Sequence, residues 1–328
     1  MSHELSSKAA AFEATSLGLI YRQFTRPKPL PAGTSLTGQV AIVTGSNTGL
    51  GFEACRQLLA LGLSQLVMGV RSQAKGNEAA AKLRKEFPLA DATVTVWILD
   101  MESYDSIRAF TAQCATLPRI NIVILNAALT KKSYTVSTTG HETLLQVNYL
   151  STALLAILLL PILKAKKTGQ GPPVLSLVGS DLMYSSPVKT EKGVSVWAQF
   201  DDPKGYNQFL WYGQTKVLLM LFVFQLSQHV DPNDVIINVP NPGATGGTSF
   251  FRELPWIVQK IFGILQYFVA RRVEVGASTY LDAALAKGKE SHGAFVSDWA
   301  IKPYPTLWYT DEGKEFSRRL WQETLEEL

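Results

Sequence analysis

The sequence predicts a single doubly wound α/β domain, a parallel sheet with helices on both faces. Three observations predict it. Short apolar runs alternate with helix-spaced segments almost to the C-terminus. The runs are apolar at successive positions rather than at every second one, as in strands buried on both faces. No Pro-, Gly- or Ser-rich linker interrupts the alternation after residue 37, so one domain suits the 328 residues better than two.

The elements follow in order. Residues 1–36 form an N-terminal arm, broken by Pro27, Pro29 and Pro31 before the domain of residues 37–328 begins. Strands are expected at 39–44, 65–71, 93–99, 121–125, 173–178, 235–239 and 293–298, seven in all. Helices are expected over 50–63, 72–87, 103–114, 139–164, 211–229, 254–271, 273–286 and 311–325.

Composition narrows the function. Hydrophobic residues make up 46% and charged residues 18%, with a net charge of +4, which is ordinary for a globular protein. No basic run or Arg stripe is present, which argues against nucleic acid as a partner. Cys55 and Cys114 lie far apart, and His3, His141, His229 and His292 are scattered, so neither a metal site nor a disulfide framework is expected. A reducing, cytoplasmic compartment fits. The first residues lack the basic start and apolar core of a secretory signal. The most apolar run, 149–163, is interrupted by Ser151, Thr152 and Pro161 and falls short of the roughly 18 continuous apolar residues of a membrane span. It reads as a buried core helix.

The first strand runs into Thr44-Gly45-Ser46-Asn47-Thr48-Gly49-Leu50-Gly51, where a helix starts. Glycines there let the backbone turn sharply and approach a pyrophosphate, and the helix N-terminus offers free N–H groups to it. Between the first strand and first helix of a βαβ unit, this loop reads as a dinucleotide site. At the end of the second strand, where an NAD site usually carries Asp or Glu, stands Arg71, with Lys75 close behind. A guanidinium pairs with a 2′-phosphate that a carboxylate would repel, so NADP(H) is favoured over NAD(H).

Tyr212 and Lys216 are four residues apart and share a helix face. A free phenol, with a pKa near ~10, exchanges protons poorly at neutral pH, and a nearby ammonium would lower that pKa. On its own the pair is a common accident. Its context is not: Asn126-Ala127-Ala128 follows the fourth strand, Asn148 lies in the next helix, Ser180 follows the fifth strand, and Pro242-Gly243 the sixth. With the glycine loop, this order and spacing resemble the short-chain dehydrogenase/reductase family over roughly residues 37–300, most closely its longer fungal and retinol-dehydrogenase-type members.

The resemblance implies a Rossmann-type fold, a hydride-transfer enzyme, and roles by position. Tyr212 would exchange a proton with the substrate oxygen, Lys216 would hold the nicotinamide ribose, Ser180 would hydrogen-bond the substrate oxygen, and Asn148 would hold a water relaying protons to Lys216. Asp100 and Met101 would lie at the adenine, Asn126 and Ala127 on the adenosine side, and Pro242, Gly243, Ala244 and Thr245 beside the nicotinamide. The family also includes homodimers formed through the helices that here carry Asn148 and Lys216, as well as monomers. Either state remains open.

This chain departs from the family pattern at Ala128, where Gly is common, at Gly179, where Ser is usual before the catalytic serine, at Thr215, and at Gly246-Gly247. The stretch 182–210 is longer than in short members and rich in aromatic residues, and 246–272 carries a broad apolar helical face. Both are expected to cover a bulky, apolar carbonyl substrate. For 250–268, core or dimer packing and an interfacial membrane contact remain alternatives. The alternative is a non-redox isomerisation or cyclisation with NADP(H) held, which the intact catalytic set argues against, and cofactor sensing without turnover is the weakest reading. Reduction of a bulky apolar ketone, in secondary-metabolite biosynthesis, is the leading expectation.

Overall fold

The computed structural model describes residues 2–88, 92–169, 171–246 and 270–328. The helix expected over 254–271, and with it most of the expected cover at 246–272, lies outside the described residues. The arm carries α1 (Ser7–Glu13) and α2 (Ser16–Gln23). The domain then alternates β1 (Val40–Thr44), α3 (Gly49–Ala60), β2 (Gln65–Val70), α4 (Gln73–Glu86), β3 (Thr93–Ile98), α5 (Tyr104–Ala115), β4 (Ile122–Leu125), α6 (Thr143–Ala165), β5 (Val174–Leu177), α7 (Gln208–Gln228) and β6 (Ile236–Asn241). It ends with α8 (Val273–Leu281), β7 (Ala294–Ser297), β8 (Ala300–Lys302) and α9 (Asp311–Glu327).

The sheet order is β3-β2-β1-β4-β5-β6-β7-β8, so the strand order reverses direction between β1 and β4. Such a switch point leaves a crevice at the carboxyl ends of the strands. Pairing is parallel throughout except β7 with β8. The eighth strand exceeds the seven expected. It returns through a two-residue turn, Asp298-Trp299, with φ of 56° and 58°. Such turns favour Asn, Asp or Gly first and Gly second, so Trp299 in the second place hides the turn in the sequence. The conformation costs on the order of 1–3 kcal/mol. It is fixed by the Arg271–Asp298 ion pair at 2.6 Å and by the burial of Trp299 under the Arg271 guanidinium.

Strand β6 also runs further than expected, through Pro240 to Asn241. Proline lacks a donor but keeps its acceptor, and the Pro240 carbonyl accepts from Gly179 N at 2.9 Å. That bond carries the chain from β5 toward Ser180.

Two apolar layers cover the sheet. One lies between the sheet and α3, α4 and α8, the other between the sheet and α5, α6 and α7. Helices α6 and α7 are long and apolar enough to cross a membrane, but 83% and 78% of their most apolar stretches are buried inside the protein. Their apolarity is explained by that burial, since α9 and the 182–210 stretch cover their outer side. Trp321 of α9 stacks on Phe222 of α7 with ring centroids 5.6 Å apart, Thr324 bonds the Tyr149 hydroxyl of α6 at 2.6 Å, and Trp197 packs on Tyr149.

Candidate active site

The carboxyl ends of the strands open into one cavity of about 620 Å³. The glycine loop forms its floor. Gly45 and Gly49 adopt φ of +63° and +59°, where a side chain would be strained. A Cβ at Gly51 would lie 2.5 Å from the Asn126 amide nitrogen and 2.6 Å from the Gly45 carbonyl, so only glycine lets α3 start this close to the strand ends. Among the described residues, no neighbour lies within 4 Å of where a Cβ on Gly49 would sit, so the loop is open there. Thr48 precedes α3 but its side chain makes no capping bond, unlike Ser72 before α4 or Ser103 before α5. The first N–H groups of α3 are therefore left for an acceptor in the cavity, the arrangement a dinucleotide pyrophosphate requires.

Asn126 ties the loop to β4. Its amide donates to the Thr44 and Gly45 carbonyls at 3.0 and 3.2 Å and accepts from the Tyr280 hydroxyl at 3.2 Å. Ala127 N donates to Thr44 Oγ1 at 3.0 Å. Arg71, Ser72, Lys75, Asp100 and Met101 line one end of the cavity. Arg71 pairs with Glu102 at 3.1 Å and its side chain is 65% exposed. Asp100 accepts from Glu102 N at 3.0 Å, bracing the turn that presents both carboxylates.

Ser180, Tyr212 and Lys216 line the other end, with Pro242, Gly243, Ala244 and Thr245. The Gly179 departure has a steric cause: a Cβ there would lie 2.6 Å from Val239 Cγ1, so the usual serine does not fit. Gly213 is equally constrained. A Cβ there would come within 2.7 Å of the Ser186 Cβ, so glycine lets α7 start against the 3₁₀ turn Asp181–Ser185. That contact brings Tyr212 to Ser180 across the long intervening stretch, and the Ser180 hydroxyl hydrogen-bonds the phenol.

Lys216 is 3% exposed and donates from Nζ to the Val178 carbonyl at 2.8 Å, with its ammonium 5.5 Å from the Tyr212 ring centroid. Burial lowers its pKa to about 7. Burial also pushes the Tyr212 phenol above its ordinary value, with the Ser180 bond acting in the opposite direction. The expected lowering of the phenol by Lys216 is therefore corrected. Desolvation outweighs it, because Lys216, equally buried, is itself driven toward its neutral form.

Other sequence-derived residues stand back from the cavity. Ser46 is fully buried beneath the loop, and Gly51 acts through packing. Asn148 sits in a π turn of α6, Gln146–Leu150, and is 1% exposed. Its amide accepts from Leu129 N at 2.9 Å and donates to the Leu129 carbonyl at 3.0 Å, fixing the segment after β4. Of the aromatic-rich stretch 182–210, only Leu182 reaches the cavity. Phe200, Tyr206, Trp211 and Tyr134 instead pack edge to face among themselves. Reading the motifs also passed over Gly213 and the arm residues Leu19, Arg22 and Gln23, which contact this end of the cavity or its walls.

Residues 39–186 match the family model described as short chain dehydrogenase. The short chain dehydrogenase virL of Hypocrea virens is 59% identical over 331 residues, covering 100% of this chain and 96% of the relative. The chain belongs to the short-chain dehydrogenase/reductase family. A second fungal relative, the short chain dehydrogenase/reductase mfmJ of Annulohypoxylon moriforme, is 46% identical over 93% of this chain and 88% of its own length. Among solved structures, the NADPH-dependent 3-quinuclidinone reductase of Rhodotorula rubra superposes with a TM-score of 0.61 at 21% identity, over 83% of this chain and 96% of that one. The Pseudomonas aeruginosa RhlG/NADP active-site complex gives 0.61 at 21%, over 80% and 95%. At such identity these structures establish the shared fold.

Proposed function

We propose that the protein is an NADP(H)-dependent reductase or dehydrogenase that interconverts a bulky apolar ketone and its alcohol, in fungal secondary-metabolite biosynthesis. One observation carries the reading: the Ser180–Tyr212 hydroxyl pair and the buried Lys216 face the same cavity as the open glycine loop. The residues fit a dinucleotide, with uncapped N–H groups for the pyrophosphate and Arg71 and Lys75 for a 2′-phosphate. The nicotinamide, when bound, supplies or accepts the hydride.

The chain supplies the proton and its control. In reduction, the Ser180 and Tyr212 hydroxyls hydrogen-bond the carbonyl oxygen, and the phenol proton passes to that oxygen as negative charge develops on it. A phenol raised by burial is fully protonated at neutral pH, as an acid must be. The ammonium of Lys216 stabilises the phenolate left behind. Protonated Lys216 is thus required, and it is abundant only up to about pH 7 in the free protein.

Support for NADP over NAD comes from Arg71. Its present partner is an exposed ion pair, worth about 0–1 kcal/mol, which a bidentate phosphate can displace. The apolar substrate is inferred from Leu182 and Leu19 in the cavity wall. The test is NADPH oxidation with a panel of aromatic and polycyclic ketones. Tyr212→Phe should lower turnover about 10²–10⁴-fold. Undiminished turnover in that variant, or product formation with no net change in nicotinamide, would overturn the mechanism.

A further inference from the structure

The arm precedes the first strand and carries none of the family motif, yet it closes against the reaction end of the cavity. Arg22 and Gln23 of helix α2 are buried, and Leu19, on the same face at the i, i+3, i+4 spacing, lines the cavity while 43% exposed. Leu17, Ile20, Tyr21 and Phe24 face outward and are 50–71% exposed.

The inward face makes specific contacts. Gln23 Nε2 donates to the Ala244 carbonyl at 2.7 Å, and Ala244 N donates to Gln23 Oε1 at 3.2 Å. A side-chain amide here pairs with both backbone groups of one residue, as a neighbouring strand would. Arg22 is 3% exposed and lies between Glu13, its closest partner, and Asp181, at 3.4 Å, the residue after Ser180. Its carbonyl accepts from Arg271, which in turn holds Asp298. Leu19 lies one helical turn, about 6 Å along the axis, from Gln23. Its side chain lines the cavity and is used by no hydrogen bond or motif role.

We propose that this face of α2 is the substrate-side wall, with Leu19 a specificity-determining residue for substrate bulk and Gln23 a positioning residue for Ala244. The inference rests on the reductase reading for its substrate, but not for its geometry. A carbonyl held at Ser180 and Tyr212 fixes where the rest of the substrate extends. Asp181 and Ala244, on either side of that point, are the residues that Arg22 and Gln23 grip. Among the described residues the 182–210 stretch gives only Leu182 to the wall, and Leu19 adds apolar surface to it from the arm.

The test uses the full chain with Leu19→Trp, Leu19→Ala and, as a control on the outward face, Leu17→Trp. Leu19→Trp lowers the ratio of kcat/KM for a polycyclic ketone over that for a small cyclic ketone by about tenfold, and Leu19→Ala raises it. Leu17→Trp leaves the ratio unchanged. A purely structural role would move both ketones together, so equal effects on the two substrates overturn the proposal.

A second measurement needs no turnover. Cys55 and Cys114 are buried, so Leu19→Cys and Leu17→Cys each present a single accessible thiol to a maleimide. Saturating NADP+, its binding checked separately by displacement of fluorescent NADPH, slows labelling of the Leu19→Cys chain about threefold or more and leaves Leu17→Cys unchanged. Equal rates overturn the wall even where the ketones are reduced. Absence of reduction with protection intact would overturn the reductase reading alone.

Discussion

The two halves of the sheet are built differently. From β1 to β4, each strand is followed by a helix, and α4 and α5 are capped by the serine just before them. From β5 to β8, the site depends on contacts between distant residues. Gln23 grips Ala244 across 221 positions, Arg271 bonds the Arg22 carbonyl across 249, and Ser180 meets Tyr212 only because Gly213 and Gly179 allow close approach. In the proposed reaction the first half would present backbone to the cofactor and needs few side chains. The second would fix a proton donor against one substrate atom, on a framework of buried charge.

This contrast can be broken or sharpened by substitution. The largest effect is expected at Lys216. Lys216→Met should lower turnover about 10²–10⁴-fold while raising stability by about 1–2 kcal/mol at pH 6. The sign follows from its lowered pKa. The folded protein releases the Lys216 proton at about 7 and the unfolded chain near the ordinary 10.5. Between those values the unfolded chain binds more protons, so wild-type stability rises with pH. Below about 7 the full cost of the buried ammonium is present, so the gain in the variant is greatest there and shrinks toward pH 10. Denaturant unfolding at pH 6 and pH 10 measures it. Equal gains at both pH values would show that Lys216 is not desolvated.

Next in size is Gly179→Ser, which restores the residue common in the family. It should destabilise by about 1–3 kcal/mol through overlap with Val239, read from the denaturation midpoint. Silence there would mean that the second half is no more tightly packed than the first.

Arg71→Ala should weaken NADPH binding about tenfold, leave NADH binding unchanged and leave the melting temperature within about 1 °C. Unfolding would erase the distinction between the halves. The smallest effect belongs to Glu102→Gln. Freeing Arg71 from its carboxylate partner should tighten NADPH about two- to threefold, by fluorescence titration.

The same contrast explains what the sequence revealed. Strands β1 to β5 and β7 and the glycine loop were legible because their signals are local, apolar runs and turn glycines. Arg71 was singled out by its place at a strand end and the Ser180/Tyr212/Lys216 set by the family resemblance, and the structure brings them to one cavity. The end of β6 was not legible, since Pro240 reads as a strand breaker although only its acceptor is needed. Strand β8 was hidden because Asp298-Trp299 replaces the usual turn residues and is held by Arg271, a long-range partner. The arm was illegible as part of the site for the same reason: nothing near Gln23 in sequence announces Ala244. The departure at Gly179 had no sequence explanation, because its cause, Val239, lies on another strand.

The C-terminal helix has a consequence for how the molecule behaves alone. By laying Trp321 and Thr324 over Phe222 and Tyr149, α9 covers apolar surface of α6 and α7 from within the same chain. The chain carries its own partner, covalently attached and therefore present at any dilution. Cutting it back before Asp311 would bare the outer side of two long, apolar helices.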